Sequence, residues 1–361
     1  MNLKTLSLYL LRLYSAYFIG ILLLLIGVFI LSNIFDILQK YKSTYIQSHF
    51  FWKLTIYKIP YLLNEVASLA SFVAMLFFIR RLTKYNELLT ISISGIHIWR
   101  ILMPAVCATF VFGIILIAVV NPIGIVGLKK YEILENKLTH KKSIDLTLSQ
   151  SGLLFFELYN EEDRIIQSQA INIQQNKLTQ LIILFVNSNN YLIKRIDAQN
   201  AFLKDNTFIL NKVKIHTDDK LETYESLIIP TNLSINKLVS NLVSPEMISI
   251  WDLPNSITQL TKSGLPVTNY QIYYYKQLFK PIMMVATVIM ASCFISLKQR
   301  DNSQGKILII AIFIGFTVYS LLEMLIKILA YNRFEPYLAV FLPNILIILI
   351  SNYIILHMQE N

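Results

Sequence analysis

Hydrophobic residues in this chain come as long unbroken runs near both ends and as short alternating runs between them. The first run, residues 13–35, exceeds the ~20 residues an α-helix needs to cross a bilayer. Runs at 54–79, 98–126, 272–297, 307–329 and 337–357 predict five more crossings. The second is interrupted by Pro60, Asn64 and Glu65, and the fourth by Lys276, Lys280 and Pro281. The third carries Pro104 near its start and Asn121-Pro122 near its end, and residues 128–142 read as its helical continuation. The polar stretch that follows is far longer than the ~12–15 residues a structureless loop spans, so it is predicted to be a domain. Within it, apolar residues alternate at 153–158, 165–173, 178–186, 191–196, 201–203, 208–215 and 222–229, separated by Asn- and Asp-rich turns. That period of two predicts antiparallel strands, and their number suggests a sandwich or jelly roll. Phe155 or Phe156, with Ile182, Leu184, Phe202, Phe208 and Leu210, is expected to line its interior. An amphipathic helix over 248–263, with Ile248, Trp251, Ile257 and Leu260 on its apolar side, is stopped by Gly264.

The predicted fold class is a polytopic α-helical membrane protein, six transmembrane helices arranged 3+3, with an inserted antiparallel β domain, a sandwich or β-jellyroll. Residues 1–127 hold helices 1–3, 128–268 the β domain with flanking helices, and 269–361 helices 4–6. Composition agrees: 55% of the 361 residues are hydrophobic and 15% charged, against about 25% charged in soluble domains. The net charge of +10 reads as cytoplasmic Lys/Arg bias and contact with anionic membrane lipid, not as a nucleic-acid partner. Lys4 and Arg12, then Arg80, Arg81, Lys84 and Arg100, then Lys298, Arg300 and Lys306 fall on one side, which makes that side cytoplasmic and places the β domain outside. The first run is too long for a cleaved signal peptide and is read as a retained anchor. Cys107 and Cys293 sit in apolar runs and form no disulfide or metal pattern.

Enzymatic motifs are missing from the sequence. There is no G-x-x-x-x-G-K-[ST] loop, no H-E-x-x-H helix and no G-x-S-x-G elbow, and the five histidines are scattered. The chain is therefore expected not to be an enzyme and to hold no cofactor or metal. The polar loop 80–100 carries a short amphipathic segment over 85–95, ended by Gly95, on the predicted cytoplasmic face. Glu87 is its odd charge beside Arg80, Arg81 and Lys84, either a solvated surface carboxylate or the ion-pair partner of a soluble protein. Lys40 and Lys42 after the first run, and Lys129 and Lys130 after the third, occur at one level on the outer face. They read either as snorkelling anchors or as contacts for an anionic headgroup. Glu65 and Glu323 lie deeper and would face a cavity or a partner helix.

The order and spacing of these pieces resemble the lipopolysaccharide-export permeases of the LptF/LptG (YjgP/YjgQ) family over essentially the whole chain. The loop Asn86-Glu87-Leu88-Leu89-Thr90-Ile91-Ser92-Ile93-Ser94-Gly95 resembles the family's coupling segment. The second half is more LptG-like: Ile248-Ser249 through Leu253, Ile257, Leu260, Gly264, Tyr270, Pro281, Gly315-Phe316, Tyr319 and Leu342-Pro343. The resemblance implies the permease subunit of an ABC-type transporter in the inner membrane, paired with an LptF-like permease and serving outer-membrane biogenesis. A dimeric cytoplasmic LptB-like ATPase would supply ATP hydrolysis, and LptC-like and LptA-like jellyroll proteins would receive lipopolysaccharide in the periplasm. It implies ATPase coupling through Glu87, Leu88 and Gly95, and lipopolysaccharide binding at Lys40, Lys42, Lys129 and Lys130. Asn33 and Gln39 stand where the family is often basic. The alternatives are a membrane-anchored periplasmic sensor or scaffold, and a proton-coupled transporter using Glu65 and Glu323.

Overall fold

The computed structural model describes residues 3–40, 48–139, 147–149, 152–159, 162–172, 175–186, 192–204, 207–217, 220–231, 233, 243–294, 304–331 and 334–360. The chain divides into two compact units, Met1–Glu135 with Ile272–Asn361, and Asn136–Gln271. Among the described residues, five helices of the first unit are long and apolar enough to cross a membrane. The chain is a helical membrane protein carrying an antiparallel β domain.

The helical unit opens with α1 (Leu3–Lys40) and α2 (Ser48–Lys84). A short helix, α3 (Glu87–Ile93), precedes α4 (Ile98–Ile115). From α4 the backbone continues through a π-turn at Leu116–Val120 into α5 (Asn121–Thr139). The π-turn lies just ahead of Pro122, which has no N–H to give the preceding turn, so the rod widens there and does not stop. Gly127 lets α5 approach α2: a Cβ there would stand 2.2 Å from the Tyr57 carbonyl oxygen.

The fourth apolar run, expected as one helix over 272–297, is divided. After α6 (Leu253–Lys262) of the other unit come α7 (Thr268–Leu278) and α8 (Lys280–Ser292), separated by Phe279. Pro281 at the start of α8 cannot donate into the preceding turn, which breaks the helix. The 13-residue α8 packs against α2 and α4 and against α9 (Gln304–Tyr331) and α10 (Pro336–Glu360). It is the centre of the unit: Met284, Val288, Ala286 and Ala291 are fully buried or nearly so.

The β unit is one seven-stranded antiparallel sheet in chain order: β1 (Thr147–Ser149), β2 (Gly152–Tyr159), β3 (Glu162–Asn172), β4 (Lys177–Val186), β5 (Leu192–Lys204), β6 (Thr207–Thr217) and β7 (Lys220–Pro230). Each strand pairs with the next, so the connectivity is a meander, without Greek-key crossovers among the described strands. The two runs expected at 191–196 and 201–203 are one strand, β5. A crease crosses this sheet. Gln169, Gln180, Gln199 and Lys212 fall side by side and drop out of the ladder, between pairs such as Ser168↔Leu181 and Ala170↔Thr179. Gln180 and Lys212 hold φ of 49° and 51°. On either side of the crease the buried parity changes: Leu178 then Leu181 and Ile183 in β4, Ile196 and Ala198 then Ala201 and Leu203 in β5, Phe208 and Leu210 then Val213 and Ile215 in β6. A strand without an irregularity keeps one parity, so a row of bulge-like residues is what lets both halves bury apolar side chains.

This crease corrects part of the expected interior. Phe155, Phe208 and Leu210 are buried, but Ile182, Leu184 and Phe202 yield to their neighbours Leu181, Ile183, Ala201 and Leu203. The Phe156 side chain lies outside the described residues. The helix expected from 248 begins at Leu253, because Pro254 suits only its first turn, and Trp251 is 65% exposed. Tyr270, buried among these elements, donates to the Val243 carbonyl at 2.5 Å, and burial pushes its phenol up to about 12.

Candidate functional site

Seven residues are too few for a helix to persist alone, so α3 depends on what it packs against. Leu88 and Ile91, three apart on one face, are buried against the helical core. Asn86 (φ 59°) turns the chain sharply from α2 into α3, and Gly95 (φ 74°) turns it out again. The Gly95 N–H donates to the Ser92 carbonyl at 3.0 Å, closing the last turn in a conformation that a side chain would strain. Glu87 occupies the first turn, where a carboxylate suits the exposed N–H groups. Its Oε1 accepts from Arg81 at 3.0 Å and its Oε2 from the Tyr9 hydroxyl at 2.9 Å. The Arg81 guanidinium in turn lies 3.5 Å from the centre of the Tyr85 ring. Glu87 thereby ties α3 to α1 and α2, a connection that sequence reading did not foresee. The signal was available, since Arg81 lies six residues away in the last turn of α2.

The outward face of α3 is different. Leu89, Thr90, Ser92 and Ile93 are exposed, Ile93 by 77%, and Tyr85 flanks them. This is a small apolar surface set on a fastened helix. Of the three expected coupling residues, Glu87 and Leu88 form the fastening, with Leu88 2% exposed, and Gly95 forms the exit turn. The surface itself is made by Leu89 and Ile93, which the helical spacing places opposite Leu88 and Ile91.

At the other end of the first three spans, Lys129 and Lys130 are exposed on α5. The Lys130 ammonium stands 5.6 Å from the Tyr57 ring. Lys58 donates to Asn33 Oδ1 at 2.8 Å and lies 5.4 Å from the Tyr131 ring. Thus three lysines gather on adjacent turns of α2 and α5. The Lys40 side chain and all of Lys42 lie outside the described residues.

Inside the helical unit a polar stripe follows one face of α2. Asn64 donates to Gln277 at 3.1 Å, and Ser71 shares a 2.9 Å hydrogen bond with Thr287. The buried Lys280 donates to the Asn64 carbonyl. Lys276 and Glu323 form an ion pair at 2.5 Å between α7 and α9. Glu65 is exposed on α2, close enough to Lys280 to interact electrostatically. No group of three or more His, Cys, Asp or Glu residues is placed to hold a metal ion among the described residues.

Sequence comparison fits this layout. The family model for the lipopolysaccharide export system permease LptF/LptG matches residues 8–357. The chain belongs to this family. The LptG permease protein of Escherichia coli (strain K12) is 27% identical over 126 residues, 35% of this chain and 35% of the relative. That of Haemophilus influenzae is 27% identical over 111 residues, 31% of this chain and 30% of the relative. The chain's aligned region thus spans about a third of the length of these curated relatives, while the family model covers both halves of the helical unit and the β domain between them. Membership makes this a multi-pass membrane protein of a transport family, consistent with a chain that is not itself an enzyme.

Proposed function

We propose that this chain is the LptG-like permease subunit of an ABC-type lipopolysaccharide exporter in the inner membrane. In this reading it crosses six times, with α8 in the fourth crossing, and its β domain stands in the periplasm. It pairs with an LptF-like permease and is driven by a dimeric cytoplasmic LptB-like ATPase. The observation that carries the reading is α3, an apolar surface held rigidly at the end of two spans by Glu87, Leu88 and Ile91. A soluble motor needs such a handle: soft attachment would dissipate its movement, and a permease without a nucleotide-binding loop needs an external energy source. Glu87 then sets and transmits the orientation of the handle, while Leu89 and Ile93 meet the motor.

The cargo enters from the outer leaflet through lateral gates at spans 1 and 5, α1 and α9. Lys129 and Lys130, with Lys40 and Lys42, hold its anionic headgroup, and Lys58 adds to that level. Extraction of each acyl chain opposes about 0.8 kcal/mol per CH₂, so downhill flipping does not suffice. The β domain passes lipid to LptC-like and LptA-like jellyroll proteins.

The test is capture of the ATPase from gently solubilised membranes. Wild-type chain should retain it, Ile93→Asp should lose it, and Glu87→Arg, which sets a cation against Arg81, should lose it as well. Wild-type chain that captures no ATPase would overturn the proposal. Export that stays normal in both Glu65→Gln and Glu323→Gln would remove the proton-coupled alternative.

A further inference from the structure

At the end of the helical unit that carries α3, a groove of about 760 Å³ opens between α1 and α4. This volume lies in the range of about 300–1,000 Å³ usual for sites that hold small molecules. Its walls are Leu8 and Leu11 from α1 and Met103 and Cys107 from α4, with Leu6 and Pro104 buried behind them. Lys4 and Arg100, both exposed, stand over it from the two helices, and Trp99 lies beside Arg100. Among the described residues, no acidic side chain lines it. An apolar trough with two cations at its mouth and an indole at the rim matches one kind of occupant: an amphiphile with an anionic head. Indoles and cations concentrate at the membrane interface for the same reason.

We infer that this groove holds one anionic phospholipid of the cytoplasmic leaflet, its acyl chain along Leu8, Leu11, Met103 and Cys107 and its headgroup between Lys4 and Arg100. Hydrocarbon gains little by leaving the bilayer for an apolar groove, because both surroundings are equally dry. Selectivity must therefore come from the two cations. Each favours an anionic head by about fivefold, and the pair by about thirtyfold. The groove also includes Ile96, the residue after Gly95, so the lipid sits where α3 hands over to α4. A protein helix in the same trough would bury Lys4 and Arg100 and would have to supply carboxylates for both. The inference needs only that this end of the unit faces the cytoplasm.

The experiment uses the full chain alone, in nanodiscs of equal parts phosphatidylglycerol and phosphatidylcholine, followed by native mass spectrometry. Its failure leaves the export proposal untouched, since neither ATPase nor lipopolysaccharide is present. Wild type should carry one phosphatidylglycerol, preferred about thirtyfold over phosphatidylcholine. Lys4→Gln with Arg100→Gln should bring the preference near one, while Lys4→Arg with Arg100→Lys should keep it. Maleimide labelling of Cys107, in a Cys293→Ser background, should slow when phosphatidylglycerol is present and not when inorganic phosphate is added. Equal retention of the two lipids by wild type would overturn the inference. So would a preference that survives loss of both cations, or protection of Cys107 by phosphate alone.

Discussion

Leu88→Ala and Ile93→Ala should separate the two faces of α3. Leu88 is 2% exposed and belongs to the helical core, whereas Ile93 is 77% exposed. Truncating a buried leucine costs about 2–5 kcal/mol, and the lower end applies here because a seven-residue helix at the margin of the core resettles easily. Truncating an exposed isoleucine falls within about 0.5 kcal/mol. Since α3 has no stability of its own, the loss at Leu88 should appear as local opening while the spans remain folded. About 2 kcal/mol multiplies the open population about thirtyfold. Hydrogen exchange read by mass spectrometry on a peptide covering 87–95 is the measurement. Its protected amides should exchange about thirtyfold faster in Leu88→Ala and unchanged in Ile93→Ala, with α1 and α2 unaffected in both. ATPase capture should fail in both variants, through opening in the first and through loss of contact in the second. Equal exchange in Leu88→Ala and wild type, or equal acceleration in the two variants, would refute the assignment of one face to packing and the other to docking.

Three further outcomes follow from the geometry. Lys212→Gly should stabilise the β unit by about 1 kcal/mol, because Lys212 holds a left-handed φ of 51° that glycine adopts freely; a raised unfolding midpoint checks it. For Lys276 and Glu323, whose side chains are 30% and 26% exposed, Glu323→Gln alone should lower the melting temperature more than Lys276→Met with Glu323→Leu. The single change strands a charge and the pair removes both, so a double-mutant cycle reads the coupling. Tyr270 gives the β unit a pH dependence at the alkaline end. Its folded pKa is raised to about 12, so its stabilisation is complete below the unfolded value near 10 and is lost as pH rises towards 12. Tyr270→Phe should flatten that part of the stability profile, and denaturant titrations at pH 9 and pH 12 measure it.

Five of the six predicted spans were legible because length and hydropathy decide them, and the strands because alternation does. What alternation could not supply was parity. In β4, Leu178, Ile182 and Leu184 share even numbering, and a strand of constant period would turn all three inward. The structure buries Leu178 but then Leu181 and Ile183, since Gln180 adopts a left-handed φ and resets the count. Nothing in the residue type announces this: glutamine is an ordinary strand residue, and the cause is the need of the neighbouring strands to bend at the same level. The short helix α3 was legible, the partners of Glu87 less so. Spacing put Glu87 on the right helix, but a lone carboxylate among cations looks alike whether it awaits a partner or is already bound by Arg81 and Tyr9. The distinction depends on α1, whose Tyr9 lies 78 residues away in sequence.

The polar stripe along α2 bears on which helices can move. Asn64, Ser68 and Ser71 recur at helical spacing and face Gln277, Lys280 and Thr287, so α2 is joined to the broken fourth segment by directional bonds. Inside a membrane, separating such groups without water or new partners is costly. Packing tells the same story: 72% of the apolar window of α2 is buried in the unit, against 17% for α1 and 17% for α9. A gate built from α2, α4 or α8 would have to break the centre of the unit at every cycle. α9 contributes least to it, whereas the first half of α1 sends Leu10, Tyr14 and Phe18 into the core and shares a buried 2.6 Å hydrogen bond between Tyr14 and Thr109; Glu87 holds that same half through Tyr9. In the proposed exporter, movement imposed on α3 would have a short mechanical route to the first span, through the Tyr9–Glu87 hydrogen bond and the shared packing of Leu88 and Ile91.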